Sequence, residues 1–200
     1  MRRDARFYLD GSKRALRMAL DGLSDAQSHP ERRERGLCVA IEFGRSVGEA
    51  LRRLKSRVPG YDEWWLSAKE TYLSHPVCAY LYDKRNDIFH EGHLLVNRVT
   101  VPPNVKMVPE GILVDGQLFI APPDADSFVF GDTFGNDGWA VGDSDIVTYA
   151  LSFPRPSTSL QFDDAPGEFK DRPAIDAVEF WLSRLTELVD DAEQKLFGAG

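Results

Sequence analysis

The sequence has few of the features that mark secreted, membrane-spanning or disordered proteins. Its 200 residues include only two cysteines, Cys38 and Cys78, too few for a disulfide scaffold. No apolar run approaches the roughly 20 residues that cross a bilayer, and the charged segment MRRDARFYLDGSKR lacks the apolar stretch of a signal peptide. Internal repeats and low-complexity tracts are absent from the sequence. We therefore expect a cytoplasmic protein that has no membrane partner and that buries both thiols.

The length and composition predict one compact domain, or one domain with an insertion. Hydrophobic residues make up 42% of the chain, and its 12 Phe and 4 Trp can fill a substantial core. Basic residues are scarce in the second half: residues 1–100 carry 18 Lys+Arg and 14 Asp+Glu, whereas residues 101–200 carry 6 and 18. The net charge of −8 disfavours non-specific binding to nucleic acid. The basic half is either a local phosphate-binding surface or a solvated face.

Apolar residues at helical spacing predict five helices. Their expected ranges are 4–23, 31–58, 61–74, 76–91 and 171–197. In the second helix the apolar stripe includes Gly44 and Gly48, which are best tolerated where another helix backbone packs closely. Asp171 is the expected N-cap of the last helix, whose apolar stripe must be buried in the same bundle.

Residues 94–165 have a different composition, with 7 of the 12 prolines and with alternating β-branched and aromatic residues. Asp115-Gly116 predicts a type I′ hairpin within 111–121, and further strands are expected at 126–131 and 146–153. The predicted fold class is therefore α+β. A bundle of four to five helices, formed by residues 1–93 with 171–200, carries a β-rich insertion of about 70 residues, 94–165, before the last helix.

One polar stripe on the fourth helix has residue types suited to phosphate chemistry. Tyr82, Asn86 and His90 are i, i+4 neighbours, and His93 extends the row if the helix continues that far. Attack of a ribose 2′-hydroxyl on the adjacent phosphate needs proton transfer, which an imidazole performs near neutral pH. A guanidinium such as that of Arg85 binds phosphoryl oxygens through paired donors. Because one chain offers one well-placed histidine, a two-fold homodimer would supply the second.

The segment Arg85-Asn86-Asp87-Ile88-Phe89-His90 resembles the R-N-x-x-x-H signature of the HEPN superfamily. Many members are metal-independent ribonucleases of toxin-antitoxin, abortive-infection and CRISPR systems. The long second helix, the motif on a later helix and the last helix also match that family's layout, whereas the β-rich segment is not part of it. The resemblance implies a HEPN-like homodimeric bundle that cleaves RNA at its dimer seam, in a toxin or antiviral-defence context.

The resemblance also assigns roles to residues of this sequence. It implies that Arg85, Asn86 and His90 are catalytic, and Tyr82 and His93 are candidate supporting residues. Neither a metal nor a cofactor is implied. An antitoxin or other regulatory protein is the implied further partner.

Other interpretations of these residues stay open. Arg85 can instead form an ion pair with Asp83, with Asp87 or with an acidic residue elsewhere, and His90 can be a histidine stabilised by the dipole at the end of its helix. The protein can also be a catalytically silent binder of nucleic acid or nucleotides, or a scaffold whose β-rich segment docks another protein. The binding alternative rests on six further arginines, Arg32, Arg33, Arg35, Arg52, Arg53 and Arg57.

Three further patterns in the sequence are weaker. His90 and His93, with His75 or Glu91, do not have the spacing of an H-E-x-x-H zinc site. Residues 131–145 are rich in oxygen ligands but lack the spacing of an EF-hand loop, so turns are expected there. The pair Trp64-Trp65 is expected to place one indole in the core and one at a surface or interface, with base stacking as the alternative.

Overall fold

The computed structural model describes residues 4–91, 94, 96–101, 105–108, 111–114, 117–119, 128–131, 149–152 and 157–198. The chain divides into two compact units, one formed by Met1–Arg98 with Leu160–Gly200 and the other by Val99–Ser159. The sequence-based boundaries lie at 93/94 and between 165 and 171. Parts of the predicted β-rich segment lie outside the described residues.

The first unit is a helical bundle. Its α-helices, within the described residues, are α1 (Ala5–Ser28), α2 (Arg33–Arg52), α3 (Tyr61–Leu73), α4 (Pro76–Glu91) and α5 (Ala174–Phe197). Helices α1 and α2 pack along each other, and α5 contacts the other four helices, which confirms that the last helix closes the bundle. None of the helices in the described ranges is both long and apolar enough to cross a membrane.

The core follows the apolar stripes that the sequence predicts. On α2 the stripe from Leu37 to Leu51 is buried, and on α4 Val77, Leu81 and Ile88 face the core. Each fully buried side chain of this size stabilises the fold by roughly 1.5–3 kcal/mol. Further core residues come from the segment that precedes α5, namely Leu160, Phe162, Ala165 and Phe169.

Strands occupy the chain between α4 and α5. They are β1 (Asn97–Val101), β2 (Val105–Val108), β3 (Gly111–Val114), β4 (Gln117–Phe119), β5 (Phe128–Gly131), β6 (Tyr149–Ser152) and β7 (Ser157–Gln161). Strand β1 pairs with β7, the strands β2, β3 and β4 form an antiparallel sheet, and β5 pairs with β6 in parallel. The predicted hairpin is confirmed, because Val114 pairs with Gln117 across the two intervening residues. The conformation of Asp115-Gly116 lies outside the described residues.

The predicted end of α1 near residue 23 is wrong, because Gly22 lies at a helix crossing. A Cβ atom on Gly22 would lie 2.9 Å from the carbonyl oxygen of Gly36, and one on Gly36 would lie 2.6 Å from the carbonyl oxygen of Gly22. The two backbones therefore touch where α1 and α2 cross. Gly22 permits close packing and does not stop the helix, which continues to Ser28.

Two other predicted helix ends also differ from the structure. Helix α2 ends at Arg52, and residues 53–57 form turns in which Leu54 is still buried. Asp171 is not the N-cap of α5, because the helix begins at Ala174 after Pro173. Asp171 instead has a φ of 62°, in the left-handed region that aspartate tolerates better than most residues. Its carbonyl oxygen accepts a 3.2 Å hydrogen bond from the Gln161 side chain.

Helix α5 packs on α2 through an indole set into a glycine notch. The Trp181 side chain is 2% exposed, and a Cβ atom on Gly44 would lie 2.6 Å from its Cζ3 atom. One turn further along α2, Gly48 is also buried, but a Cβ atom there would meet nothing within 4 Å. The predicted close approach of another helix backbone is therefore wrong at both glycines, because a side chain packs on Gly44 and nothing lies within 4 Å of a Cβ atom on Gly48.

These two glycines predict opposite responses to the same substitution. Gly44→Ala should lower the free energy of unfolding by about 1–3 kcal/mol, because overpacking against the indole outweighs the gain in helix propensity. Gly48→Ala should raise it by about 0.5–1 kcal/mol, because propensity improves without a clash. Urea unfolding of both variants measures the difference. If the free energy of unfolding changed in the same direction in both variants, the packing of Trp181 against Gly44 would not distinguish the two positions.

An ion pair joins α4 to the segment that follows β7. The Lys84 side chain is 7% exposed, and its Nζ lies 3.2 Å from Oδ1 of Asp164, which also accepts a 2.7 Å hydrogen bond from the Tyr80 hydroxyl. Partial burial raises the pKa of Asp164, but the hydrogen bonds from Tyr80 and Lys84 outweigh it and hold that pKa below the ordinary value of 3.8. The carboxylate therefore stabilises the folded state.

The stability conferred by this pair should depend on pH. Asp164→Asn should cost about 1 kcal/mol near neutral pH, since the carboxyl is largely exposed and water screens the pair. Because the pKa of Asp164 is lower in the folded than in the unfolded protein, its contribution is present above 3.8 and is lost as the pH falls through the folded-state value. Thermal unfolding of both proteins across this range measures the difference. A difference in stability between the two proteins that stays unchanged in strong acid would argue against an ionised Asp164 as the stabilising group.

Candidate functional site

Side chains of α2 and α4 form a polar cluster on the bundle, which we call the α2–α4 cluster. It consists of Arg45, Glu49, Arg52, Tyr82 and Asn86. Arg52 contacts Tyr82, whereas the earlier Arg45 contacts the later Asn86, so the two helices run antiparallel. Because 3.6 residues make a turn, Tyr82 and Asn86 lie on the same side of α4.

Arg45 is the most enclosed cation of this cluster, with a side chain that is 18% exposed. Its Nε atom donates a 3.0 Å hydrogen bond to Oε1 of Glu49, and its Nη1 atom donates to Oδ1 of Asn86. The guanidinium also lies 4.6 Å from the centre of the Tyr82 ring. These contacts satisfy a charge that would otherwise be costly to bury.

Arg52 forms the outer edge of the cluster. Its Nη1 atom donates a 2.9 Å hydrogen bond to the Tyr82 hydroxyl, and its guanidinium lies 5.3 Å from the Tyr82 ring centre and 5.9 Å from that of Trp65. The cluster therefore holds two guanidinium groups and one carboxylate. Its excess positive charge suits an anion such as phosphate, although the chain as a whole carries a net charge of −8.

The predicted site residues all fall on α4 where the structure describes them. Tyr82 and Asn86 lie in the α2–α4 cluster, and His90 is exposed on the last turn, one helical turn beyond Asn86. Arg85 is half-buried and lies about 100° round the helix from Asn86. His93 lies outside the described residues.

Arg45 is the site residue that the sequence reasoning missed. The basic residues of the first half were expected to form either a phosphate-binding surface or a solvated face, and neither expectation places Arg45 in an enclosed contact with α4, which packs beside it. Two signals in the sequence point to it: Glu49 follows at i+4 as an ion-pair partner, and Arg52 follows at i+7 on the same side.

The six arginines of the binding alternative do not form one surface. Arg32 directly precedes α2 and lies 3.6 Å from Asp25 of α1. Arg57 follows the other end of α2, and its guanidinium lies 4.6 Å from the ring centre of Tyr8. The 20 residues of α2 separate these groups by roughly 30 Å. Of the six, Arg52 is the one that belongs to the α2–α4 cluster.

A cavity of about 190 Å³ opens between α2, α3, α4 and α5. Arg52 and Tyr82, which belong to the α2–α4 cluster, also line this cavity. Trp181 and Leu185 of α5 line it from the core side. Cys78 also faces the cavity, and burial raises the pKa of its thiol to about 11. At neutral pH the Cys78 thiol is therefore protonated, and it lines the cavity as an uncharged side chain and not as a nucleophile. Cys38, half-buried on α2, is likewise a free thiol whose pKa is raised by burial.

The predicted pair of tryptophans is split between two roles. Trp64 donates a 2.7 Å hydrogen bond from Nε1 to Oδ2 of Asp191 on α5. Trp65 stacks on Tyr61 with ring centres 5.9 Å apart and lines the cavity. Both indoles are partly buried, so the expected division between a core and a surface residue is wrong.

Among the described residues, no group of three or more His, Cys, Asp or Glu side chains is placed to hold a metal ion. His75 packs against two aromatic rings, with centre distances of 5.8 Å to Phe169 and 4.8 Å to Phe180. Its Nδ1 atom accepts a 3.3 Å hydrogen bond from the Val77 amide at the start of α4. His93 and residues 132–145, which the other metal interpretations need, lie outside the described residues.

No protein-family model, curated protein or solved structure matches this chain with significant similarity.

Proposed function

We propose that the protein is a metal-independent endoribonuclease of the HEPN type, in which Arg85, Asn86 and His90 are catalytic. The main support is that positive charge lies beside the polar stripe of Tyr82, Asn86 and His90 on α4. Asn86 and Tyr82 lie against the guanidinium groups of Arg45 and Arg52, and the stripe ends at the exposed His90. An RNA strand lying along α4 would meet positive charge beside the residues that perform the chemistry.

The reaction needs a base, an acid and a cation. The 2′-hydroxyl oxygen attacks the adjacent phosphorus while one His90 imidazole takes the hydroxyl proton. The bond from phosphorus to the 5′ oxygen breaks, and a second imidazole, in its protonated form, gives its proton to that oxygen. The products are a 2′,3′-cyclic phosphate and a free 5′-hydroxyl. Arg85 stabilises the charge that builds on the phosphoryl oxygens.

A homodimer supplies the second imidazole, because each chain contributes one His90. In the proposed assembly two α4 helices meet across a two-fold axis, and their Arg85 and His90 side chains share one scissile linkage. We place this activity in the cytoplasm, in a toxin or antiviral-defence role that an antitoxin or other regulatory protein restrains.

One observation favours a second candidate function, a catalytically silent module that binds nucleic acid or nucleotides. Asn86 accepts a hydrogen bond from Arg45, so in this structure its carboxamide oxygen helps to hold α2 against α4. On that alternative the cationic cluster binds phosphate and no bond is broken. Cleavage assays separate the two functions.

His90→Ala should reduce RNA cleavage at least about 100-fold, because proton transfer loses its side chain. The substitution should leave folding unchanged, since an exposed residue on the last turn of α4 contributes little to packing. The assay follows labelled RNA in the presence of EDTA. His29→Ala, which removes an exposed histidine after α1, is the matched control and should cleave like the wild type. Wild-type protein that cleaves no RNA would refute the proposal.

Arg85→Lys should reduce cleavage at least about tenfold, because an ammonium cannot reproduce the paired donors of a guanidinium. The charge is preserved, so the result reports geometry more than electrostatics. Arg17→Lys on the exposed side of α1 is the matched control. Single-turnover cleavage rates of the three proteins give the comparison, and full activity of Arg85→Lys would remove Arg85 from the catalytic set.

A further inference from the structure

Gly48 leaves an open space in the interior of α2. It is buried, yet a Cβ atom on it would meet nothing within 4 Å. Glycine destabilises a helix interior relative to alanine, because its unfolded backbone has more freedom to lose. At Gly44 the Trp181 indole explains the glycine, whereas at Gly48 the space belongs to the cavity that both glycines line. A ligand that enters the cavity would use this space.

The walls of the cavity are mostly apolar and aromatic. Trp181 and Leu185, both 2% exposed, face it from the core. Trp65 and Tyr82 border it from α3 and α4. The protonated thiol of Cys78 adds an uncharged surface. An aromatic ring that enters such a space gains favourable contacts with the other rings beyond the effect of the area that it buries.

The volume of the cavity fits a single ring. It measures about 190 Å³, and an apolar cavity of about 150 Å³ is large enough to bind one benzene molecule. Drug-sized ligands instead occupy pockets of roughly 300–1,000 Å³. A molecule with one six-membered ring and one short substituent therefore matches the space, whereas a fused ring system with further groups exceeds it.

The charged side chains at the cavity favour an acid. Arg52 on α2 and Lys69 on α3 both line it and are exposed, so their cationic ends can meet a carboxylate at its mouth. The hydrogen bond to Tyr82 uses one N–H donor of Arg52, and a guanidinium has further donors that match the two oxygens of a carboxylate. Asp83 is the one carboxylate among the described lining residues, so two cations stand against one anion there.

We propose that the cavity beside Gly48 binds a small aromatic carboxylic acid, with its ring inside and its carboxylate at Arg52 and Lys69. Phenylacetate, which has one ring and one methylene spacer, represents this class of ligand. None of the three proposed catalytic residues is among the described residues that line the cavity. The site is therefore distinct from the proposed cleavage chemistry, and its test needs no RNA.

NMR titrations compare three probes: phenylacetate, acetate, which lacks the ring, and benzyl alcohol, which lacks the charge. Phenylacetate should bind at least about tenfold more tightly than acetate, because its ring is buried. It should bind at least about threefold more tightly than benzyl alcohol, because it also meets the cations. The indole N–H signals of Trp65 and Trp181, which line the cavity, should shift on binding. The proposal is overturned if either comparison probe binds as tightly as phenylacetate, or if neither indole signal responds.

A variant that fills the cavity tests where the ring lies. Gly48→Leu should weaken phenylacetate binding at least about tenfold, because its side chain occupies the space that the ring needs. Gly11→Leu is the matched control, since Gly11 lies inside α1 and a Cβ atom there would be 4.0 Å from the Arg14 side chain. It should bind phenylacetate like the wild type. Folded Gly48→Leu protein that binds normally would contradict the proposal.

A surface variant keeps the test independent of folding. Lys69→Ala removes an exposed cation, so it should weaken phenylacetate binding about threefold and leave benzyl alcohol binding unchanged. Lys170→Ala, which removes an exposed lysine before α5, is the matched control and should change neither. Unchanged phenylacetate binding in Lys69→Ala, or an equal loss of both probes, would refute the position of the carboxylate.

These outcomes are separate from those of the cleavage assays. Protein that binds phenylacetate beside Gly48 but cleaves no RNA would refute the ribonuclease and leave the acid-binding site standing. Protein that cleaves RNA through His90 but binds phenylacetate no better than acetate would do the reverse.

Discussion

The packing of Trp181 into the notch at Gly44 is the contact on which the arrangement of the bundle depends. A large, rigid indole from α5 takes the place of a side chain on α2, so these two helices can approach closely at this point. Helix α4 packs on both of them, and α3 packs on α5 and α4. The cavity beside Gly48 exists because the indole fills one notch and leaves the next one empty.

The α2–α4 cluster shows how a half-buried charge is accommodated in such a bundle. Arg45 is surrounded by a carboxylate, an amide oxygen and the face of a tyrosine ring, which together offset the loss of water around the guanidinium. The same contacts order Asn86 and Tyr82 on α4. A surface that holds phosphate would therefore be largely preorganised, and little reorganisation would accompany binding.

Much of the candidate site follows from local spacing. The i, i+4 rule is enough to place Tyr82, Asn86 and His90 on one side of α4. It does not reveal that Arg45 belongs with them, because that contact spans 41 residues of sequence and depends on how α2 and α4 are paired. Similarly, the Gly44 and Gly48 positions look equivalent in the sequence, and only the indole of a distant helix distinguishes them.

By itself the sequence determined which segments are helical, which of their faces are apolar, and where the β3–β4 hairpin lies, since periodicity and turn residues act over a few positions. It misplaced the end of α1 and the start of α5. Gly22 and Asp171 are residue types that usually mark helix termini. Gly22 instead lies where α1 crosses α2, and Asp171 lies before α5, which begins only after Pro173. Only the tertiary structure decided which glycine is packed, which arginine is enclosed and which space stays open. Those outcomes depend on contacts between residues far apart in the chain, and no local pattern records them.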